Sequence, residues 1–522
     1  MSGFGERFRR AGYEIPKPLI EVEGRPIVGH VVDLYPGIER VTFICNKLHI
    51  EDPNFEMESK LRSIRPDADI KVIEPHKLGP INAILNVIDG FDPDEPVIVN
   101  YCDFTCIWDF DAFKKFVVDN KSDGCVIGYT GFHPHMLGSK NYAYVKIDNG
   151  LPVDIQEKQP YTKDPMSEFA SSGAYYFSSI SLMRDCFEEV VAKDLNVNGE
   201  YYVSMAYKPL FTKNKNVSVF PVEHFMQWGT PEDLAKYNWF SSLFRIKNEL
   251  KNHNEARHDG SILMPMAGAG SRFQKKGYEI AKPYIKLNGK PMFQQAIMDL
   301  PATDKIRLIT RHGLNGEGVL KTFLSHQRNA TEVELDAITE GQAITCLRGL
   351  DDISLDQMLT VAACDNGMIY DPSHLQKLLE NNDVDVIVWG ARAYPGAISN
   401  PEAYGWIEAS GENVSRVSVK KPLGNPDKDP VVIGTFTFKR AGDLLAAIKS
   451  LIDKNLRVNG EYYVDSAINE LIDSGLKVVL FEVHYYLCWG TPEDLDTYLY
   501  WQDALDKFEI HSYSKSHDED VM

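Results

Sequence analysis

Paired cysteines are missing from this sequence. Its eight cysteines, Cys45, Cys102, Cys106, Cys125, Cys186, Cys346, Cys364 and Cys488, are scattered, and no CxxC spacing occurs among them. That argues for reduced, buried thiols rather than disulfides or a thiolate metal cluster. Positive charge is also scarce: 55 lysines and arginines stand against 75 aspartates and glutamates, a net charge of −20. Such a surface repels a polyanion, so a nucleic-acid partner is excluded, whereas a small anionic ligand in a locally basic pocket is not. No apolar run approaches the roughly 18 residues of a membrane span, and the N-terminus lacks the apolar core of a signal peptide. The expectation is a cytoplasmic chain with no membrane contact.

What is present is length and repetition. At 522 residues the chain exceeds one hydrophobic core. Gly3 to Ile20 and Gly268 to Ile285 share eleven of eighteen positions, at an offset of 265. "YCDF" at Tyr101 matches "ACDN" at Ala363, "LNVNGEYYV" at Leu195 matches "LRVNGEYYV" at Leu456, and "WGTPEDL" recurs at Trp228 and Trp489. Offsets drifting only from 265 to 261 mean a whole duplicated domain, not a short solenoid repeat. The expected division is a first domain over residues 1–249, a polar linker over 250–260, a second domain over 261–510 and a polar tail over 511–522. The second copy of the opening motif follows an apolar run, Ser261 to Pro265, and the first copy has nothing in front of it. An equivalent strand is therefore expected upstream of Met1, lost through a late-assigned start or a trimmed end.

Within each half, apolar runs alternate with amphipathic stretches. Arg40 to Asn46, Glu95 to Asp103, Gly124 to Thr130 and Ala170 to Ser178 read as buried strands, and Asp109 to Asn120 as a helix. The alternation predicts an α/β fold in which two tandem Rossmann-like domains each carry a mostly parallel sheet with helices on both faces. Ligands then sit at the carboxyl ends of the strands. "NGEYYV" reads as a helix start capped by Asn198 or Asn459. Thr230-Pro231 and Thr491-Pro492 read as a second type of helix start.

The opening motif carries the first chemistry. Gly3 and Gly5, like Gly268 and Gly270, let the backbone turn with N–H groups pointing inward, a nest for phosphate oxygens. Arg7 and Arg272 add a guanidinium suited to bidentate phosphate contact. Lys17 lies between two prolines and Lys282 precedes Pro283, which stiffens the loop holding each ammonium.

This G-x-G-x-R-F loop with its Lys-Pro, present twice, resembles the sugar-phosphate nucleotidyltransferases, the NTP-transferase family of glycosyltransferase-A-like fold. It looks closest to the branch of polysaccharide and capsule gene clusters. The resemblance covers nearly the whole chain and implies attack by an acceptor phosphate on the α-phosphorus of an NTP, with release of pyrophosphate. It implies Mg²⁺ held by Asp103 and Asp365 at the ends of buried strands, where one or two carboxylates and phosphate oxygens suffice. It assigns the acceptor phosphate to Lys158 in "DIQEKQP" and to Lys420 in "RVSVKKP", where Val419 replaces the glutamate found at Glu157. The nucleotide-contacting loop falls at Gly341 and Gln342, and in the first half at Gly79, where Pro80 replaces the glutamine. A second acidic metal ligand common in relatives is Gln227 in one half and Cys488 in the other. Glu200 and Glu461 are the alternative acidic candidates. The implied partners are an NTP and a small phosphorylated acceptor, and self-association into a homo-oligomer stays open. Two other readings remain open. One is a glycosyltransferase on the same type of fold, although no D-x-D follows either strand. The other is a half that binds nucleotide without turnover.

Overall fold

Each apolar run singled out above forms a strand. The computed structural model describes residues 1, 3–249 and 256–519, so residues 250–255 of the expected linker lie outside the described residues. It divides into two compact units, Met1–Ser242 with Asp503–Ser512, and Leu243–Gln502 with Tyr513–Met522.

In the first unit the strands are β1 (Thr42–Asn46), β2 (Asp69–Ile73), β3 (Val97–Asn100), β4 (Phe104–Ile107), β5 (Gly124–Tyr129), β6 (Ala143–Asp148), β7 (Leu151–Glu157), β8 (Phe169–Phe177), β9 (Val217–Pro221) and β10 (His224–Gln227). The main sheet runs β9-β5-β8-β6-β7, with β3 also on β8. Successive residues of β5 feed opposite faces. Val126 packs with Phe177, Met183, Phe187 and Val190. Cys125 and Ile127 pack with Phe110, Phe113 and Val117 on the other face. Helices Ile180–Ala192 and Phe110–Asp119 thus cover the two faces. Each such fully buried side chain contributes about 1.5–3 kcal/mol. Asp109 caps the second helix, accepting from the Ala112 N–H at 2.8 Å.

The second unit repeats the plan with β11 (Ser261–Pro265), β12 (Lys305–Arg311), β13 (Ala330–Leu335), β14 (Leu359–Val361), β15 (Asn366–Ile369), β16 (Val386–Ala391), β17 (Trp406–Ser410), β18 (Asn413–Ser418), β19 (Val431–Phe438), β20 (Val478–Glu482) and β21 (Tyr485–Cys488). Its sheet runs β13-β12-β11-β14-β19-β16-β20-β18-β17.

The sheets are mixed rather than mostly parallel. In the first unit's main sheet only β9 and β5 pair parallel, and β8 runs antiparallel to β3, β5 and β6. In the second, β19 is antiparallel to β14 and β16. A strand buried on both faces reads as one apolar run whichever way its neighbours point, so hydropathy carries no polarity.

The units differ at one place. β11 pairs parallel with β12 on one side and β14 on the other. Among the described residues of the first unit no strand joins β1 to β3, so β1 and β2 form their own two-stranded parallel sheet. Val97, Ile98 and Val99 are correspondingly half-exposed, while Leu359 and Val361 are buried.

All eight cysteines are free, and every one but Cys102 is buried. No described helix is long and apolar enough to cross a membrane. Within the expected polar tail, His511 and Tyr513 are buried.

Candidate functional site

The glycine turn takes the same shape in both units. Gly5 (φ 62°) and Gly270 (φ 60°) adopt the left-handed conformation and start the short helices Glu6–Arg10 and Ser271–Lys275. Their Cα atoms lie against Lys17 and Lys282, whose Cβ atoms sit 3.8 and 3.3 Å from where a glycine methyl would be. Gly3 and Gly268 face nothing within 4 Å, which leaves that part of the turn open.

From this loop Lys17 donates to Asp103 Oδ2 at 2.7 Å, and Lys282 makes the same bond to Asp365 Oδ2. Both side chains of each pair are about four-fifths shielded, with exposures of 20%/20% and 20%/23%. Burial opposes the charge on Lys17, but Asp103 and Cys102 outweigh it, so its pKa lies above the ordinary value. Lys282 is raised in the same way, with Asp365 outweighing burial. Arg7 contributes to the field at Lys17. The loop and the strand-end carboxylate, 86 residues apart, thus meet.

Asp103 and Asp365 lie just past the ends of β3 and β14, and Trp228 and Trp489 donate backbone N–H groups to their carbonyls, both at 2.9 Å. A methyl at Gly229 would touch both Asp103 Oδ2 and the Gln227 amide. At Gly490 it would touch Asp365 Oδ2 and Cys488 Sγ. A hard cation is therefore suited by a carboxylate and an amide in the first unit. In the second it is suited by a carboxylate alone, because the Cys488 thiol is pushed up by burial and by Asp494 and Asp365. One carboxylate with phosphate oxygens and water still fits Mg²⁺.

The other lysine of each unit follows a strand end. Lys158 has φ 59° and Lys420 φ 54°, an uncommon backbone state for lysine that fixes each at the end of its strand. Lys158 Nζ donates to Tyr202 Oη at 2.6 Å, and that hydroxyl donates to Glu200 Oε2 at 2.5 Å. Arg7 and Glu157 also act on Tyr202. Glu157 accepts from Ser204 Oγ at 2.6 Å, and burial holds its pKa up. In the second unit Lys420 lies 5.9 Å from the Tyr463 ring, and Glu461, Asp465 and Arg272 all act on Tyr463, whose pKa burial lifts to about 12. No motif in the sequence marks a role for these tyrosine hydroxyls, Ser204 or Asp465. The positive φ at each lysine was not visible there either.

"NGEYYV" is not a capped helix start. Asn198 (φ 55°) and Gly199 (φ 80°) both lie in the left-handed region, as do Asn459 and Gly460, between the bridges Val197–Glu200 and Val458–Glu461. Two positive φ values make the Asn-Gly pair a tight hairpin turn. The turn presents Tyr201 and Tyr462 to the segments that hold Gly79 and Gly341. Tyr201 N–H donates to the Leu78 carbonyl, and Tyr462 N–H to the Glu340 carbonyl, each at 2.9 Å. A methyl at Gly79 would stand 2.7 Å from Tyr201 N, and at Gly341 2.6 Å from Tyr462 N, so only glycine fits. Pro80 and Gln342 then occupy the same place, the first residue of a helix, where proline loses nothing. Thr230 and Thr491 do cap helices, each accepting an N–H at 3.1 Å.

Residues 1–228 match the family described as nucleotidyl transferase. The chain is similar to the Bifunctional protein GlmU of Methanocaldococcus jannaschii, 24% identical over 257 residues, which are 49% of this chain and 56% of that protein. It is also similar to the Bifunctional protein GlmU of Bacillus mycoides, 23% identical over 224 residues, 42% and 46% of the two chains. The chain thus spans about half the length of these curated relatives. Among solved structures it is similar to a nucleoside-diphosphate-sugar pyrophosphorylase from Vibrio cholerae, at 22% identity and TM-score 0.39 over 46% of this chain and 99% of that one. It is similar as well to the inositol-1-phosphate CTP transferase from T. maritima, at 13% identity and TM-score 0.39 over 51% and 99%.

Proposed function

From the match of residues 1–228 to the nucleotidyl transferase family, we propose that this chain is an enzyme of the sugar-phosphate nucleotidyltransferases and that each compact unit is one nucleotidyltransferase domain. Each transfers NMP from an NTP to a phosphorylated sugar, polyol or related small metabolite, for surface polysaccharide synthesis. The observation that carries the reading is the lysine–carboxylate pair beside a left-handed glycine turn, built identically in both units.

The chemistry follows from the placement of charge. An oxygen of the acceptor phosphate forms a bond to the α-phosphorus, and the bond from that phosphorus to the α–β bridging oxygen breaks, so pyrophosphate carries the electron pair away. No proton transfer is required, and positioning with charge neutralisation supplies the rate. Arg7 and Lys17, and Arg272 and Lys282, offset the negative charge of the triphosphate. Lys158 and Lys420 hold the acceptor phosphate in line. Asp103 and Asp365 would hold Mg²⁺, which when bound screens the phosphate oxygens. Gly79, Gly341 and Gln342 place the base.

The test is pyrophosphate release from CTP, UTP, GTP or ATP with a panel of sugar and polyol phosphates. Release should require a divalent cation and vanish in Asp103→Asn/Asp365→Asn. Undiminished release from that double variant overturns the reading, and free NDP formed from an NDP-sugar instead would favour a glycosyltransferase.

A further inference from the structure

The acceptor sides of the two units differ at three positions that touch one another. In the first unit Ala143 and Glu157 are cross-strand partners on β6 and β7, and Ser204 reaches over from the segment after the Asn-Gly turn to donate to Glu157. The aligned trio in the second unit is Gly405, Val419 and Asp465. The sequence shows the loss of a carboxylate at Val419. The structure shows where one has been gained. Asp465, in the first turn of helix Val464–Asp473, points its Oδ2 at Gly405, in the volume that an alanine methyl would fill. Ala to Gly makes the room, Ser to Asp supplies the charge, and Glu to Val removes the partner that would repel it.

We infer that Asp465 is the acceptor-facing carboxylate of the second unit, doing from the helix side what Glu157 does from the strand side in the first. The inference rests on the function proposed above. Lys420 acts on Asp465 as Lys158 acts on Glu157, so each unit sets one carboxylate beside the lysine assigned to the acceptor phosphate. A carboxylate there is acceptor-only and takes hydrogen bonds from hydroxyls. The ligand chemistry that matches is a polyhydroxylated phosphate, with its phosphate on Lys420 and a nearby hydroxyl donating to Asp465. The only hydrogen-bond donor acting on Asp465 among the described residues is its own backbone N–H, and burial lifts its pKa to about 6 against the pull of Lys420. An aspartate serving only the helix dipole would gain more by facing water. Because the two carboxylates arrive from different elements and differ by one methylene, the two units should favour different hydroxyl arrangements.

The experiment uses the full chain carrying Asp103→Asn, so that only the second unit turns over, with hexose 1-phosphates and alditol phosphates as acceptors and pyrophosphate as readout. Asp465→Ser should raise the acceptor KM roughly 10- to 100-fold and leave the NTP KM within about twofold. The exchange Gly405→Ala/Val419→Glu/Asp465→Ser should bring the acceptor KM back to within about fivefold. It should also move acceptor preference toward that of the first unit. Asp465→Asn, which keeps the shape, should behave like Asp465→Ser, and thermal melting confirms folding of each variant. An unchanged acceptor KM in Asp465→Ser and Asp465→Asn overturns this inference alone, as does an equal rise in both KM values. Absence of pyrophosphate release in the unsubstituted chain overturns the functional reading and this inference with it.

Discussion

At the scale of single residues, Lys17 and Lys282 carry the sharpest expectation. Each keeps a raised pKa against burial, chiefly through the carboxylate beside it. Removing an aimed positive group from a shielded phosphate site typically costs 10²–10³ in rate, so Lys17→Ala and Lys282→Ala should each lower kcat/KM of their own unit by about that factor. Pyrophosphate-release kinetics check this, and a loss under threefold argues against the assignment. Gly341 makes a structural expectation of the same kind. With φ 125° and the Tyr462 backbone against it, alanine is both strained and crowded, and Gly341→Ala should destabilise the second unit by about 1–3 kcal/mol. Denaturant titration reads that loss. Asp299 offers a pH expectation. Burial raises its pKa to about 7, while the Met368 N–H at 3.0 Å pulls the other way. A raised carboxylate favours the folded state when protonated, so its contribution is full below the unfolded value and declines as pH climbs through about 7. Asp299→Asn, which keeps an oxygen for Met368, should melt higher than the parent at pH 8 and level with it near pH 4.

At the scale of elements, what was legible in the sequence is what local chemistry dictates. The glycine turn, the proline-flanked lysine and the strand-end aspartate each declare themselves by residue type and order, and the fold brings them together. Tyr202, Ser204 and Asp465 could not be read so, because their role comes from meeting a strand more than forty residues away. The Asn-Gly pair carries the signature of a hairpin turn and of a cap alike, since asparagine serves both purposes, and only the fold decides between them. Strand direction was not legible at all. Among the described residues, no strand fills the place between β1 and β3. Ser261–Pro265 aligns to the five positions directly before Met1. A chain extended there by Ser-Ile-Leu-Met-Pro should therefore pair parallel with both neighbours, as β11 does. The extended chain should melt higher, with slower amide exchange in Thr42–Asn46 and Val97–Asn100 than in the chain starting at Met1. Unchanged exchange in both segments would show that the two edges do not accept a strand.

At the scale of the whole molecule, the question is whether duplication means one reaction twice or two reactions. Each unit carries its own glycine turn, two lysines, strand-end carboxylate and helix-start glycine. The differences fall away from the lysine–carboxylate pair, in Pro80 against Gln342 and in Glu157 against Asp465, the positions proposed for base and acceptor. Under the proposed function, those positions would select a substrate rather than perform the transfer. Cutting the chain in two would answer the question badly. The first unit includes Asp503–Ser512, where Asp503 Oδ2 lies 2.8 Å from His224 Nε2 and His511 Nε2 lies 3.1 Å from the Ser241 carbonyl. A fragment ending near residue 249 loses these contacts and should melt below the full chain for that reason alone. Point substitution keeps them. With Asp103→Asn and Asp365→Asn made separately in the full chain, two reactions require that each variant lose turnover of one NTP–acceptor pair and keep the other nearly intact. One reaction done twice requires that both variants retain a share of the same turnover, the shares adding up to the parent rate. The substitutions at the base and acceptor edges favour the first outcome, and proportional loss of a single activity in both variants would exclude it.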